Sequence, residues 1–323
     1  MITGSGDALA WQLATLGVQW YINYTPDPRE APAGAHKVPF VSVNPSRSRL
    51  TPETITTYAT AVPGSVWYIG GEPNVAAQDN ISPTAYVAEL DYYEQHIRAA
   101  DPTAKIMSAS ILNWDFTCTG CGSGFTPGHT WLAQFVDAYA AAHGGDSPPV
   151  DIWAIDVYPL TWAATAQFPD PPLPMTQWEI VRDQLLGLRQ FLDLQVPGHR
   201  GKPIWVTELA SHWAYDGFDW ASDGIYCRPW RPDCTMTLPE GQDWDADYLW
   251  DDMEAYMDNI LGWLKQNGPT HTIERWFFFH AYVDIRAMAA DGYTGIYFFE
   301  SGESGAPLNQ LGRAYRDYAM GRR

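Results

Sequence analysis

Two glutamates stand at the ends of short apolar, aromatic-rich segments that have the composition of buried strands. Glu72 closes Val66-Trp-Tyr-Ile-Gly-Gly-Glu72, and Glu208 closes Pro203-Ile-Trp-Val-Thr-Glu208. A single glutamate in such a place is often a surface residue or the partner of a helix cap. Two glutamates over one pocket could take the two catalytic roles that breaking a glycosidic bond requires. One would be protonated and donate its proton to the leaving oxygen, and the other would be ionised and attack the anomeric carbon.

The segments that would position these glutamates alternate with helical patterns, which is typical of βα units around a parallel sheet. Seven nearly continuous hydrophobic runs have the character of strands buried on both faces. They are Val18–Asn23, Pro39–Val43, Val66–Gly70, Lys105–Ile111, Ile152–Tyr158, Pro203–Thr207 and Arg275–Ala281. Helices are predicted at Gly6–Leu16, from Thr51, from Ser82 to about Ala100, and at His129–His143, Met175–Leu194, Asp247–Asn267 and about Leu308–Tyr318.

This pattern predicts an α/β fold, a (β/α)8 TIM barrel whose first strand is incomplete or short. The missing strand would precede the first helix, at Met1–Gly4 or upstream of it. Tyr293–Phe299 is a rival eighth strand, for which we favour a hairpin after the last clear strand. Counted this way, Glu72 and Glu208 lie on strands 4 and 7, nearly across the barrel mouth from each other. Active residues of such barrels stand at the carboxyl ends of the strands.

Composition narrows the classes of partner. The 323 residues contain no linker-like tract, so residues 1–323 are expected to form one catalytic domain. The net charge of −19 repels nucleic-acid phosphates and anionic lipid, and neither is expected as a partner. The 16 Trp, 18 Tyr and 12 Phe suit a core, but many lie in polar, Gly/Pro-rich stretches, where exposed rings would stack on sugars. No apolar run approaches the ~18 residues of a membrane span.

The order of these segments resembles a known group. The Glu72-Pro73-Asn74 motif, followed much later by Ile204-Trp-Val-Thr-Glu208, is similar to clan A of the glycoside hydrolases. Within that clan the chain resembles the glycosyl hydrolase catalytic core group and the family 39-like or family 128-like barrels. The resemblance implies a retaining double displacement with Glu72 as acid/base and Glu208 as nucleophile. It also implies that Tyr158 hydrogen-bonds the nucleophile, although a buried core tyrosine is an equal alternative.

Two positions depart from the pattern of the clan. The residue before the acid/base glutamate is usually an asparagine that binds the 2-hydroxyl of the substrate beside the nucleophile, and this chain has Gly71. Hydrogen bonds to that hydroxyl strengthen in the transition state. The loss could weaken catalysis, or another side chain could substitute. The second departure is Asp156, where a histidine or another polar residue is expected.

Further substrate-binding candidates follow the predicted strands, and each has a core or loop role as its alternative. They are Trp20, Asn23, Asn74, Asn113, Trp114, Tyr158, Trp213, His280 and Tyr282. The long insert Ser211–Asp247 is expected to wall the cleft.

No metal site and no cofactor are expected. The chain lacks HExxH, GxSxG and the phosphate-binding glycine motifs, and its histidines are scattered. The four cysteines, Cys118, Cys121, Cys227 and Cys234, allow local disulfides, a structural zinc site or free thiols.

These observations predict a retaining glycoside hydrolase that acts on a β-linked poly- or oligosaccharide. By family analogy, β-1,3-glucan comes first, followed by xylan- and galactan-type substrates. A catalytically weak or silent carbohydrate-binding barrel, favoured by Gly71, and a transglycosylase are the alternatives. A secreted or extracytoplasmic location is expected, although the N-terminal residues have no basic region typical of a signal peptide.

Overall fold

The computed structural model describes residues 7–115, 126–159, 177–211, 247–282 and 297–323, which alternate between strands and helices. The strands are β1 (Trp20–Tyr21), β2 (His36–Lys37), β3 (Phe40–Val41), β4 (Val66–Ile69), β5 (Lys105–Met107), β6 (Ile111–Leu112), β7 (Trp153–Val157), β8 (Ile204–Leu209) and β9 (Ile273–Phe278). The helices are α1 (Asp7–Leu16), α2 (Pro52–Ala61), α3 (Pro83–Ala100), α4 (Gly128–Ala142), α5 (Trp178–Gln195), α6 (Asp247–Asn267) and α7 (Gln310–Ala319). None of the helices in these ranges is long and apolar enough to cross a membrane.

The named strands pair in parallel and in chain order. β1 pairs with β2, β3 to β5 form one sheet, and β6 to β9 form another. β3 lies within the predicted strand Pro39–Val43, whereas β2 precedes it and was not predicted; Pro39, which has no N–H for a ladder, lies between the two. Parallel bridges between Gly71 and Ser110 and between Met107 and Ile152 extend the pairing. β2 and β3 are two pieces of one barrel strand, and so are β5 and β6, so the nine named strands make seven strands of the barrel. The protein is therefore a (β/α)8 barrel with seven of its strands in the described ranges.

The predicted elements are confirmed, with shorter strands and small shifts at the ends. The Thr51 and Ser82 hydroxyls cap α2 and α3 by accepting hydrogen bonds from Thr54 N (3.3 Å) and Ala85 N (3.2 Å). Within the rival segment 293–299, Phe299 forms an isolated antiparallel bridge with Leu308, as the hairpin interpretation expects. The strand predicted at Met1–Gly4 lies outside the described residues.

Successive residues of several strands, such as β3 and β4, face two different cores. The first core contains residues in or beside the strands, among them Phe40, Val66, Tyr68 and Trp205, and fills the barrel. The second core includes their neighbours on the strands together with the inner faces of the helices. This alternation is the period of a strand in a closed barrel, and it determines which side chains can reach the mouth from within.

A cavity of about 520 Å³ separates β1 from β9. Residues from both strands line it, and the Arg275 guanidinium spans part of it, 4.0 Å from the Trp20 ring centre. No hydrogen-bonded ladder joins β1 to β9 within the described ranges. The ring of named strands is therefore open between β1 and β9 over these ranges.

Two glycines within helices provide a matched test of the packing between helices and barrel. An added Cβ at Gly187 in α5 would lie 2.4 Å from Trp114 Cδ1, whereas at Gly262 in α6 it would meet no atom within 4 Å. We expect Gly187→Ala to lower the free energy of unfolding by about 1–3 kcal/mol through overpacking. Gly262→Ala should raise it by up to about 1 kcal/mol through helix propensity. Urea titration of both variants checks this, and equal effects would contradict the packing.

Candidate active site

Three carboxylates converge at the carboxyl ends of the strands. Glu72 follows β4, Asp156 lies in β7 and Glu208 lies in β8, and one oxygen of each lies within 4.8 Å of the other two. Asp156 is also the register partner of Glu208 between the paired strands. The two glutamates identified from the sequence are thus brought together, and a third acid joins them.

An irregularity in β8 brings two successive side chains, those of Thr207 and Glu208, close to Asp156. Ile155 pairs with Val206, but Asp156 pairs with Glu208, so the register skips Thr207. The Thr207 hydroxyl nevertheless donates to Asp156 Oδ1 (2.6 Å), while Glu208 approaches Asp156 from the next position. Such a bulge re-aims side chains beside an active site, because the strand's alternation is broken there.

Hydroxyl groups satisfy Glu208 and Asp156. Tyr24 donates to Glu208 Oε1 and Tyr158 donates to Glu208 Oε2. Asp156, which is 1% exposed, accepts from Ser110 Oγ (2.6 Å) as well as from Thr207. Because hydroxyls already bond both oxygens of each carboxylate, no cation is needed to satisfy the two acids, although the three acids lie close enough to share one.

Glu72 has a different environment. Its backbone has φ +45°, in the left-handed region that costs energy for a non-glycine residue, and its N–H donates to Ser110 O (2.8 Å). Asp79 holds the preceding turn by accepting from Gly71 N and Val43 N, both at 2.9 Å. Within the described part of the chain, no side chain or backbone N–H donates to the Glu72 carboxylate.

Burial and mutual repulsion raise the pKa values of the three acids, and hydrogen bonds oppose this rise in two of them. Burial first, and then the charges of Glu208, Asp156 and Asp79, hold the pKa of Glu72 well above its ordinary value. Burial also raises the pKa of Glu208, but the hydroxyls of Tyr158 and Tyr24 oppose this rise by stabilising the ionised form. Burial, and then the charge of Glu208, hold the pKa of Asp156 well above its ordinary value too, with its two hydroxyl donors acting in the opposite direction. Like charges this close cannot all ionise together, and among the described residues Glu72 is the one of the three acids with no hydrogen-bond donor to favour its ionised form.

Several predicted substrate-binding residues brace the site instead. Asn74 is 4% exposed and bonds only to backbone, accepting from Leu112 N (2.9 Å) and donating to Leu112 O (3.1 Å) and Thr126 O (3.0 Å). Asn113 is fully buried, and its Oδ1 accepts from Tyr158 N (2.8 Å), so it positions Tyr158. We therefore assign both to the support of the site rather than to contact with a sugar.

Of the three tryptophans predicted to bind substrate, Trp20 and Trp114 lie in the described residues, and both are away from the three carboxylates. Trp114 is 8% exposed and packs against Phe191 and His129 in the core between helices and barrel. Trp20 contacts Trp205, which lies three residues before Glu208 on β8 and near the amino end of that strand. Both therefore have structural roles.

The remaining candidates are placed as follows. Asn23 belongs to an exposed hydrogen-bond group with Glu30 and Thr25. His280 (3% exposed) and the half-buried Tyr282 follow β9, and Tyr282 lies against Gly302. Trp213, residues 212–246 of the cleft insert and all four cysteines lie outside the described residues. Tyr158 contacts Glu208, as the resemblance implies.

Sequence patterns missed four hydroxyls that bind the acids or their partners: Tyr24, Ser110, Thr207 and, through Ser110, Tyr68. A signal existed for Tyr24. Trp20, Ile22 and Tyr24 alternate along one face, and Trp20 and Ile22 both belong to the barrel interior or pack against it. Tyr24 is the inward residue at the carboxyl end of that run.

The comparisons with known proteins agree with this geometry. The family described as "Glycosyl hydrolase catalytic core" matches residues 2–170. No curated protein sequence matches the chain. The chain is similar to the solved GH128 (subgroup II) endo-β-1,3-glucanase of Pseudomonas viridiflava, with 21% identity, a TM-score of 0.61, and coverage of 97% of this chain and 94% of that one.

Two further structures show the same likeness. The Amycolatopsis mediterranei GH128 (subgroup I) endo-β-1,3-glucanase with laminaritriose is 18% identical, with a TM-score of 0.54 and coverage of 98% of this chain and 97% of that one. The Blastomyces gilchristii GH128 (subgroup III) curdlan-specific exo-β-1,3-glucanase with glucose is 17% identical, with a TM-score of 0.56 and coverage of 98% and 96%. At these identities the likeness establishes the fold.

The barrel and the family match define the class of protein: this is a glycoside hydrolase on a (β/α)8 scaffold. The chain belongs to the glycosyl hydrolase catalytic core family, whose model spans more than half of it. Membership of a hydrolase family favours an enzyme over the silent sugar-binding barrel that Gly71 suggested.

Because its pKa is raised, Glu72 is expected to lower the free energy of unfolding at pH values above its unfolded pKa. Between the unfolded and folded pKa values, the folded protein binds more protons, so its stability is complete at low pH and falls as pH rises through that window. Each unit of difference corresponds to about 1.4 kcal/mol. We expect Glu72→Gln, which imitates the protonated acid, to be more stable than the parent at pH 8 by about 1–3 kcal/mol and equal to it near pH 4.

Calorimetric melting at both pH values measures this difference. Glu303→Gln, on the exposed surface, serves as the control and should follow the parent at each pH. If Glu72→Gln also follows the parent, Glu72 is not an acid with a raised pKa.

Proposed function

We propose that this protein is a retaining glycoside hydrolase that cleaves β-1,3-glucan with Glu208 as nucleophile and Glu72 as general acid/base. The observation that carries the proposal is the approach of the two glutamate side chains, with oxygens within 4.8 Å at the carboxyl ends of the strands. Retaining enzymes hold their carboxyl groups about 5–5.5 Å apart, whereas inverting enzymes leave about 6.5–9.5 Å for a water molecule. The observed approach favours the retaining geometry.

The different surroundings of the two acids support the division of roles. Two tyrosine hydroxyls stabilise an ionised Glu208 and orient it for attack on the anomeric carbon. Glu72 keeps its proton and delivers it to the leaving oxygen as the glycosidic bond breaks. The Glu208 oxygen then forms an ester bond with the anomeric carbon.

The second half of the reaction follows from the same electrostatics. Once Glu208 is esterified its negative charge is gone, and one of the causes that raise the pKa of Glu72 is removed. Glu72, ionised after the first step, can then take a proton from water while the water oxygen attacks the anomeric carbon. The ester bond breaks, Glu208 regains its charge, and Glu72 regains its proton.

The choice of glucan rests on the structural neighbours. The described β-1,3-glucanases cover 97–98% of this chain, and forms of the Amycolatopsis enzyme with either of two glutamates replaced hold laminari-oligosaccharides. A neutral glucan is also compatible with a net charge of −19. The same coverage supports one catalytic domain over residues 1–323. Because a glucan polymer does not cross membranes, we also propose that the enzyme works outside the cytoplasm.

Azide rescue distinguishes the roles of the two glutamates. We expect Glu208→Ala and Glu72→Ala each to lower kcat/KM on laminarin by about 10²–10⁴-fold or more, because the first removes the nucleophile and the second removes the proton-transfer group. With an activated aryl β-laminaribioside, azide should restore turnover in both. Glu208→Ala should yield the α-glycosyl azide, because azide replaces the nucleophile, and Glu72→Ala should yield the β-glycosyl azide from the glycosyl-enzyme.

Proton NMR of the products reads the anomeric configuration directly. Glu89→Ala, at the surface in an ion pair with Arg49, serves as the control and should retain parental activity. Release of an α-configured sugar by the parent enzyme from a β-glucan would sink the retaining mechanism, and activity confined to xylan or galactan would sink the choice of glucan.

A further inference from the structure

The position before Glu72 has no side chain with which to meet the substrate. An added Cβ at Gly71 would lie 3.3 Å from Phe40 Cε2, 3.4 Å from Phe40 Cζ and 3.7 Å from the Tyr68 hydroxyl. The Phe40 ring therefore fills the space into which an asparagine at this position would extend. A partner for the 2-hydroxyl of the sugar has to come from another element.

Tyr24 brings a hydroxyl to this place from the end of the first described strand. Its ring packs edge-on against Phe40, with ring centres 5.2 Å apart, and Phe40 packs in turn against Tyr68 at 4.9 Å. Beyond this contact, the Tyr24 hydroxyl donates to Glu208 Oε1, while Tyr158 donates to Oε2. The side chain that fills the space above Gly71 is thus packed against the one that binds the nucleophile.

The backbone holds Tyr24 firmly in this position. Tyr24 has φ +55°, which a tyrosine rarely adopts, and its neighbours keep it there. Thr25 O accepts from Phe40 N (3.1 Å), and the Thr25 hydroxyl donates to Glu30 Oε2 (2.6 Å). Glu30 also pairs with the ammonium group of Lys37, whose side chain is fully buried. A strained residue whose following neighbour is fixed in this way is expected where its side chain has a task.

We propose that Tyr24 is a specificity-determining residue that binds the substrate hydroxyl on C2 and holds Glu208 for attack, the task that Gly71 cannot perform. The inference rests on the proposed function, because it needs Glu208 as nucleophile. C2 is bonded to the anomeric carbon that Glu208 attacks, so a hydroxyl in contact with the attacking carboxylate lies beside the C2 hydroxyl.

The phenol oxygen can serve both partners without any proton transfer. While its own hydrogen bonds Glu208, its lone pairs accept from the C2 hydroxyl. When Glu208 becomes an ester, the same hydrogen can turn to the C2 oxygen. Burial and the charge of Glu208 raise the pKa of Tyr24 well above its ordinary value, so the hydroxyl stays protonated throughout.

The test compares two changes that should act on one interaction. Tyr24→Phe removes the enzyme hydroxyl but keeps the ring that packs on Phe40. A 4-nitrophenyl β-laminaribioside in which hydrogen replaces the C2 hydroxyl of the ring bonded to the aglycone removes the substrate hydroxyl. Tyr86→Phe is the control, because Tyr86 is a buried tyrosine whose hydroxyl donates to Ile69 O and accepts from Ala109 N, both at 2.8 Å, away from the three acids.

The measured quantity is the ratio of kcat/KM for the hydroxylated substrate to that for the deoxy substrate. We expect this ratio to fall by about 10²-fold in Tyr24→Phe, through kcat rather than KM, as for the loss of one preorganised donor. Tyr86→Phe should lower the melting temperature but keep the parental ratio. An unchanged ratio in Tyr24→Phe, or an equal fall in both variants, overturns the inference while the proposed function stands.

Failure of the proposed function has a different signature. The same pairs of substrates are prepared as aryl β-xylosides and β-galactosides. If the parent cleaves only these, the choice of glucan is wrong and the Tyr24 ratio is measured on the sugar that it does cleave. If the parent cleaves none of them, the proposed function and the role of Tyr24 both fail.

Discussion

Three carboxylates, of which Asp156 is buried and Glu72 and Glu208 are half-buried, have oxygens within 4.8 Å of one another at the mouth of the barrel, and the side chains around them offset the cost of that arrangement. An unpaired buried charge is among the most expensive groups a protein can hold. Here the compensation comes from hydroxyl groups on separate elements: Tyr24 and Tyr158 for Glu208, and Ser110 and Thr207 for Asp156. Glu72 alone is left without donors in the described structure, so repulsion and burial act on it unopposed.

The proposed mechanism depends on this unequal hydrogen bonding of the three acids. If all three were equally satisfied, their proton affinities would be similar, and none would be poised as the proposed acid beside an ionised nucleophile. In that proposal, the donors favour the charged form of Glu208, and Glu72 is left to the repulsion of its neighbours' charges, which separates the two roles. The separation follows from the placement of side chains rather than from any difference between two chemically identical glutamates.

The barrel supplies the rigid geometry on which this depends. Inward and outward residues alternate along the strands, and the irregularity in β8 interrupts that alternation where Thr207 and Glu208 both meet Asp156. The two departures from the clan pattern have local explanations. At Gly71 the Phe40 ring takes the space of a side chain, and Asp156 is accommodated by two hydroxyls on neighbouring strands. Similarity in fold to enzymes at 17–21% identity is consistent with such exchanges.

The sequence by itself determined the barrel and the pair Glu72 and Glu208, because buried strands and amphipathic helices have periods that can be read along the chain. The resemblance to the clan also pointed to Tyr158, with a buried core tyrosine as the equal alternative. Hydroxyl donors such as Ser110 and Thr207 have no such pattern, since a serine or threonine in a strand is unremarkable until its partner is known. Asn74, Asn113 and Trp114 have functional residue types, yet backbone hydrogen bonds and packing use them for support.

Only the tertiary structure decided which hydroxyl meets which carboxylate. Tyr24 and Glu208 are separated by 184 positions, and their contact depends on the curvature of the barrel, the left-handed backbone at Tyr24 and the skipped register in β8. Each of these is a consequence of long-range packing, and none is encoded in a local run of residues.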